Sequence, residues 1–271
     1  MLYYEKSQHE KEVNNMKKYR LLGALFSALK RAKPKRVYVS AVILAAGSGT
    51  RMGGSVTKQW LDIGGIPTVV RSLIAFNSCK SVKEIILCVK GDEIEKYEGI
   101  AEKYGIKKLK KTVIGKETRQ LSALEGFKNV SDRSTFVAVH DAARCLITPE
   151  MIEKTVREAV RYGSAVAASK ATDTVKVTDN RLFVRSTPER ETLWLAATPQ
   201  IFETEIYRAS AYVALRDKIT VTDDASMAEH AGFSVKLVDV GKENIKITTP
   251  EDVFIAEAIL KMRSTVFADE K

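Results

Sequence analysis

The chain carries too few soft ligands to build a metal cage or a disulfide framework: three cysteines and three histidines in 271 residues. Cys79, Cys88 and Cys145 show no Cys-x-x-Cys spacing, and an odd, unpatterned count fits neither a disulfide scaffold nor a zinc site. His9, His140 and His230 are too few and too scattered for a histidine-based metal site. No apolar run reaches the roughly 20 residues of a membrane-spanning helix, and no signal-peptide apolar segment stands near the start. Internal repeats and low-complexity tracts are absent. These absences lead to the expectation of a reduced, cytoplasmic protein.

Acidic residues are also in deficit, and the net charge of +10 resembles a nucleic-acid footprint until it is located. Residues 1–37 hold ten Lys and Arg against three Glu, which is seven of those ten charges. The remaining 234 residues are nearly balanced, so the main body has no nucleic-acid signature and none is expected as a partner. Within the extension, Leu22, Leu25, Phe26 and Leu29 recur at helical spacing among Lys17, Lys18, Arg20, Lys30 and Arg31, ahead of Pro34. The pattern predicts a short basic amphipathic helix. It would either pack on its own domain or meet a membrane surface or partner.

What the chain does have is 45% hydrophobic residues, enough for a sizeable core. Strand-like runs at 37–45, 84–89, 135–139, 165–168, 174–177 and 234–240 alternate with helix-like runs at 68–77, 92–104, 120–128, 149–161, 203–215 and 250–262. Continuous β-branched strands separated by helices predict an α/β fold with a mostly parallel sheet covered on both faces. Its ligand site is expected at the carboxyl ends of the strands. Residues 171–192 break the rhythm: strand-like segments 174–178 and 182–186 flank the turn formers Asp179 and Asn180, which predicts a hairpin that either projects as a β-arm or folds back on its own domain. The expected domain layout is an extension over 1–37, a main domain over 38–265 and a tail over 266–271.

The richest segment is Ala41-Val-Ile-Leu-Ala-Ala-Gly-Ser-Gly-Thr-Arg-Met52, with Lys58-Gln59 following. An apolar strand runs into a glycine-rich turn whose successive N–H groups can cradle an anion. Arg51 and Lys58 add fixed positive charge at the same mouth. The loop is not a dinucleotide fingerprint, because position 52 is Met and no clean acidic ribose partner follows. Nor is it a P-loop, because Gly-Lys-Ser/Thr is missing. What remains is a loop whose residues Ala45, Ala46, Gly47, Gly49 and Thr50 are expected to bind a nucleotide, or else an ordinary strand-to-helix turn with surface charges.

Two further clusters carry charge. His140-Asp141-Ala142-Ala143-Arg144 follows a predicted strand, so Asp141 stands at a strand end, where it suits Mg²⁺ or caps the following turn. Lys246 lies in Asn244-Ile-Lys-Ile-Thr-Thr-Pro-Glu-Asp252, a predicted strand running into a helix start. It either reaches the crevice as a point charge for phosphate or is a solvated edge residue.

Taken in order, these motifs resemble the 2-C-methyl-D-erythritol 4-phosphate cytidylyltransferase family. The matching segments also include Glu117-Thr118-Arg119, Asp173-Thr174, Leu193-Trp194 with Thr198-Pro199-Gln200, and Thr222-Asp223, and they span about residues 39–262. The resemblance implies a Rossmann-like nucleotidyltransferase fold, a homodimer with exchanged arms, CTP and a polyol phosphate as substrates, and Mg²⁺ or another divalent cation. It implies Arg51, Lys58 and Lys246 as the catalytic cations. Gly115 and Ser122 would line the cytosine pocket. Asp141, Arg144, Thr174, Arg190, Thr198 and Thr222 would hold the acceptor, with Thr174 and Arg190 reaching in from the partner's arm, and Asp141 would also meet the metal. The chain departs from the family pattern at Thr57 and Cys145, where proline is usual, and at Glu189, where aspartate is common beside Arg190. A ribitol 5-phosphate cytidylyltransferase and a non-catalytic binding module on the same fold are the competing readings.

Overall fold

The computed structural model describes residues 36–47 and 58–269. The amphipathic segment of the extension and the loop residues Gly49, Thr50 and Arg51 lie outside the described residues.

Strand β1 (Val39–Leu44) has five of its six residues buried, as expected of a strand covered on both faces. It lies between β4 (Val82–Val89) and β6 (Phe136–Asp141), parallel to both. The full order is β11-β7-β10-β6-β1-β4-β5, with β5 at Leu109–Ile114, β7 at Ser164–Lys170, β10 at Trp194–Glu203 and β11 at Lys236–Asp239. Strand β10 pairs antiparallel with β6 and β7, and the other pairings in this sheet are parallel. The expected α/β class and mostly parallel sheet are what the structure has.

Alternate residues of β1 serve opposite layers. Val39, Ala41 and Ile43 pack with α1 (Thr68–Ser78), α2 (Ile94–Lys103) and α4 (Pro149–Tyr162) through Phe76, Tyr97 and Ile152. Val42 faces α3 (Arg119–Phe127), α5 (Thr204–Arg216) and α6 (Asp224–His230) through Ala123, Tyr207 and Met227. Period-two side-chain direction therefore produces the two layers directly. Gly126 of α3 is required by this packing, since a Cβ there would collide with Val42. Helix α4 starts on the Thr148 side chain with Pro149 behind it and stops at Gly163, whose φ of 87° suits glycine.

Several elements escape the sequence reading. Strand β5 is a lysine-bearing edge, with Lys110 and Lys111 exposed. Helix α6 has seven residues, too few for a periodic pattern to declare itself. Strand β10 contains Pro199, which normally argues against a central strand. The sheet accepts it at a register shift between Ala196 and Gln200, where the Thr198–Pro199 peptide is cis. The arm is present but less regular than predicted: β8 (Val177–Thr178) and β9 (Val184–Ser186) pair outside the main sheet. The small hairpin of β2 (Asp62–Ile63) and β3 (Ile66–Pro67) and the helix α7 (Glu251–Asp269), which runs past the predicted helix end at Met262, complete the strands and α-helices of the described residues.

Candidate active site

At the carboxyl end of β6, Asp141 is buried and holds two cations. Its Oδ1 accepts from Arg119 Nε at 2.9 Å and its Oδ2 from Lys246 Nζ at 2.7 Å. Burial alone would raise its pKa, but Arg119 and Lys246 outweigh that and hold the carboxyl well below the usual carboxylate range. Arg119 opens α3, one residue after its cap Thr118, which accepts from the Leu121 amide. A cation at that end of a helix opposes the macrodipole. The arrangement is compensated by two acids, since Arg119 Nη1 also bonds Asp224 Oδ2 at 2.7 Å.

Lys246 comes from the segment between β11 and α7. That segment joins no sheet, which corrects the predicted strand. It is tied down by Ile247 N donating to Ala143 O, by Arg144 Nη1 donating to Asn244 O and by Asn244 Nδ2 donating to Thr198 O. Ile247 is fully buried while Lys246 is partly exposed, so the in–out alternation read from the sequence holds.

The mouth opposite is formed by the two ends of the glycine-rich loop. Gln59 Nε2 donates to Gly47 O at 2.9 Å, and Lys58 lies over Gly47. The third wall is the turn after β5. Ser122 Oγ accepts from Lys116 N at 2.8 Å and donates to Lys116 O at 3.1 Å, which fixes that turn. Gly115 must be glycine because a Cβ would run into the Ala46 methyl. Together these walls enclose a cleft of about 320 Å³, lined among others by Gly47, Lys58, Ser122, Asp141 and Lys246.

A second cleft of about 360 Å³ opens on the far side of Lys246, which lines both. Arg144, Lys170 and Lys242 give it a cationic wall. Arg144 Nε and Arg119 Nη2 are buried without a hydrogen-bond partner among the described residues, one in a side chain lining each cleft.

The structure thus brings Ala46, Gly47, Lys58, Ser122, Asp141 and Lys246 together at the first cleft and Arg144 at the second. Gly115 sits just behind Ala46, and Ala45 is buried within the strand-end packing. Thr198 is buried: its Oγ1 accepts from Asp141 N at 3.1 Å and meets His140 Nδ1 at 3.0 Å, so it supports Asp141 from below and lines neither cleft. Thr222 is exposed just before α6, and Thr174 and Arg190 stand on the exposed arm, none of them at either cleft of this chain. Sequence reasoning missed Arg119 and Asp224 as site residues. A basic residue in the first turn of a helix was the available signal for Arg119.

Metal binding can be judged from the donors. Among the described residues no group of three or more His, Cys, Asp and Glu converges. Asp141 is an ionised carboxylate at the cleft floor, and Mg²⁺ characteristically takes one or two carboxylates and fills its shell with water and substrate phosphate. The residues fit such a shared site and do not fit an all-protein one.

Residues 39–262 match the family model described as IspD, 2-C-methyl-D-erythritol 4-phosphate cytidylyltransferase. A 2-C-methyl-D-erythritol 4-phosphate cytidylyltransferase of Caldanaerobacter subterraneus subsp. tengcongensis is 42% identical over 224 residues, which is 82% of this chain and 99% of that protein. The one from Alkaliphilus metalliredigens is 40% identical over 227 residues, 83% of this chain and 94% of that one. Among solved structures, the 4-diphosphocytidyl-2C-methyl-D-erythritol synthase of Anaerococcus prevotii superposes with a TM-score of 0.74 at 34% identity, covering 83% of this chain and 96% of that chain. The Thermus thermophilus 2-C-methyl-D-erythritol 4-phosphate cytidylyltransferase gives 0.67 at 27% identity, covering 83% and 99%.

Proposed function

This chain belongs to the 2-C-methyl-D-erythritol 4-phosphate cytidylyltransferase family, and from that premise we propose that it transfers the cytidylyl group of CTP to 2-C-methyl-D-erythritol 4-phosphate in isoprenoid precursor synthesis. The observation that carries the reading is the place of Lys246, at the junction of a glycine-walled cleft and a second, cationic cleft. A nucleotidyl transfer needs a cation there, where donor α-phosphate and acceptor phosphate meet.

The acceptor phosphate oxygen attacks the α-phosphorus, a new P–O bond forms, and the bond to the β-phosphate oxygen breaks to release pyrophosphate. A phosphate monoester has its second pKa near 6 and is already largely dianionic at neutral pH. No general base is required. His140 suits this, since burial pushes its pKa down to about 3 and keeps the ring neutral and enclosed. Catalysis is then positioning plus charge stabilisation. Lys58 and Lys246 face the α-phosphate from opposite walls, Arg51 is assigned to the leaving pyrophosphate, and Arg144 to the acceptor phosphate. Ala46, Gly47 and Gly115, with Ser122 fixing the turn, shape the wall for the base. A divalent cation would be held by Asp141 together with triphosphate oxygens, and it would supply charge neutralisation at the phosphates.

The arm supports a homodimer. Leu182, Phe183 and Val184 at its tip are 81, 68 and 57% exposed, an apolar edge that a second copy would cover. Thr174 and Arg190 would then act on the partner's acceptor cleft. The cytoplasm is the proposed compartment, in keeping with three buried cysteines that form no disulfide. The domain layout proposed is the one expected above.

Pyrophosphate release from CTP and Mg²⁺, with methylerythritol 4-phosphate and ribitol 5-phosphate compared side by side, tests the reading. Preference for the first acceptor supports it. Preference for the second moves the protein to polyol-phosphate metabolism, and release with neither leaves a binding module.

A further inference from the structure

Asp224 is 2% exposed, lines neither cleft, and nevertheless keeps a carboxylate in the interior. A buried carboxylate is costly unless fully partnered. Its Oδ2 accepts from Arg119 Nη1 at 2.7 Å and its Oδ1 from the Tyr207 hydroxyl at 3.0 Å. The backbone on either side is equally fixed. Gln200 of β10 donates through Nε2 to Asp223 Oδ2 at 2.8 Å and accepts through Oε1 from Ala225 N at 2.8 Å. Asp223 also caps α6 through the Ser226 amide. Asp224 is thus bolted to the middle of the sheet, and Arg119 spans from it to Asp141.

We propose that Asp224 is a positioning residue for the transfer reaction: through Arg119 it holds the Asp141 carboxylate in place while Lys246 is drawn to substrate phosphate. The proposal rests on the cytidylyltransferase reading. Lys246 bonds Asp141, so a triphosphate that recruits Lys246 competes with Asp141 for the same ammonium. Asp141 stays neutralised through that exchange because Arg119 does not have to move. Arg119 stays because its other nitrogen is claimed by Asp224. A guanidinium can hold two acids through different nitrogens in a fixed plane, and an ammonium cannot do so with the same geometry. With Asp224 gone, Arg119 is free to turn towards the triphosphate itself, and both Asp141 and Lys246 lose their register.

The test is steady-state pyrophosphate release by the full chain and by Asp224→Asn, Arg119→Lys and the double variant, with thermal unfolding of each. Displacing a catalytic group by about an ångström from a distance can cost up to roughly 10²-fold. The expected result is a kcat about tenfold lower in Asp224→Asn, with KM for CTP and acceptor within about twofold of the parent. Because both changes break one relay, adding Asp224→Asn to Arg119→Lys should cost less than about twofold more. A kcat for Asp224→Asn within twofold of the parent, or full multiplication of the two losses, would overturn the proposal. If Asp224→Asn fails to fold, Tyr207→Phe removes one hydrogen bond from the same carboxylate. It should lower kcat about threefold at unchanged KM, and an unaltered kcat would overturn the proposal equally. A parent with no turnover on any acceptor removes the cytidylyltransferase reading and this proposal with it, whereas an active parent with an indifferent Asp224 removes the proposal alone.

Discussion

Lys246 Nζ and Asp141 Oδ2 lie 2.7 Å apart although 105 residues separate them, one on a connecting segment and the other on a central strand. The pair stands at the boundary between the two clefts, and the reaction proposed for the chain runs across it.

Replacing Lys246 with alanine should therefore affect the chemical step more than binding. Loss of one preorganised charge contact of this kind costs on the order of 10²–10³ in turnover. Pyrophosphate release under saturating CTP and acceptor measures it. Turnover at the parent level would remove Lys246 from its role.

Gly115 tests the shape of the nucleotide cleft. An added methyl would meet the Ala46 methyl, which belongs to the strand end and has no flexible side chain to withdraw, and would press on Ser122 Oγ at 3.0 Å. Gly115→Ala should raise KM for CTP several-fold and cost about 1–3 kcal/mol of stability. Gly126→Ala is the control, since its Cβ would meet Val42 and lie 2.7 Å from Cys88 Sγ within the core. It should lower the melting temperature while leaving KM for CTP in the folded fraction unchanged. Equal effects of both variants on KM would show that Gly115 has no special part in the cleft.

His140 predicts an acid-sensitive fold. Its folded pKa is depressed to about 3, chiefly by burial, against about 6.5 when unfolded. Between those values the unfolded chain binds a proton that the folded one refuses, so stability is complete above about pH 6.5 and falls as pH drops. The slope approaches about 1.4 kcal/mol per pH unit. Asp141 adds its own loss below about pH 5, where its unfolded form begins to protonate while the folded carboxylate stays ionised. Denaturant midpoints from pH 7 to 4.5 should decline in the parent and decline less in His140→Asn. Parallel curves for the two proteins would contradict the assignment.

The arm makes a prediction about assembly. Phe183 is 68% exposed beside Leu182 and Val184, so an aspartate there should be neutral in a monomer and disruptive in an arm-exchanged dimer. Sedimentation should shift Phe183→Asp from dimer towards monomer, with turnover falling in step. A monomeric parent would dismiss the exchanged arm.

Much of the fold was legible from residue order. Unbroken apolar segments such as 85–89 declare strands buried on both faces, and Thr148-Pro149 with Gly163 marks both ends of a helix. What stayed hidden had an identifiable cause in each case. Strand β10 carries a proline that the sheet absorbs at a register shift, and lysines disguise the edge strand β5. The Lys246 segment has the alternation of a strand but finds no neighbour to pair with.

The acid at the end of a central strand, Asp141, was determined by the sequence alone, because it directly follows a strand of unmistakable apolar pattern. Which acid holds which cation was decided by the tertiary structure. Arg119 meets Asp141 across 22 residues and Asp224 across 105, and Thr198 turns out to support Asp141 from beneath instead of facing a cleft. Charge pairing depends on distances of a few ångströms, and those distances are set by strand order and helix packing, which no local pattern encodes.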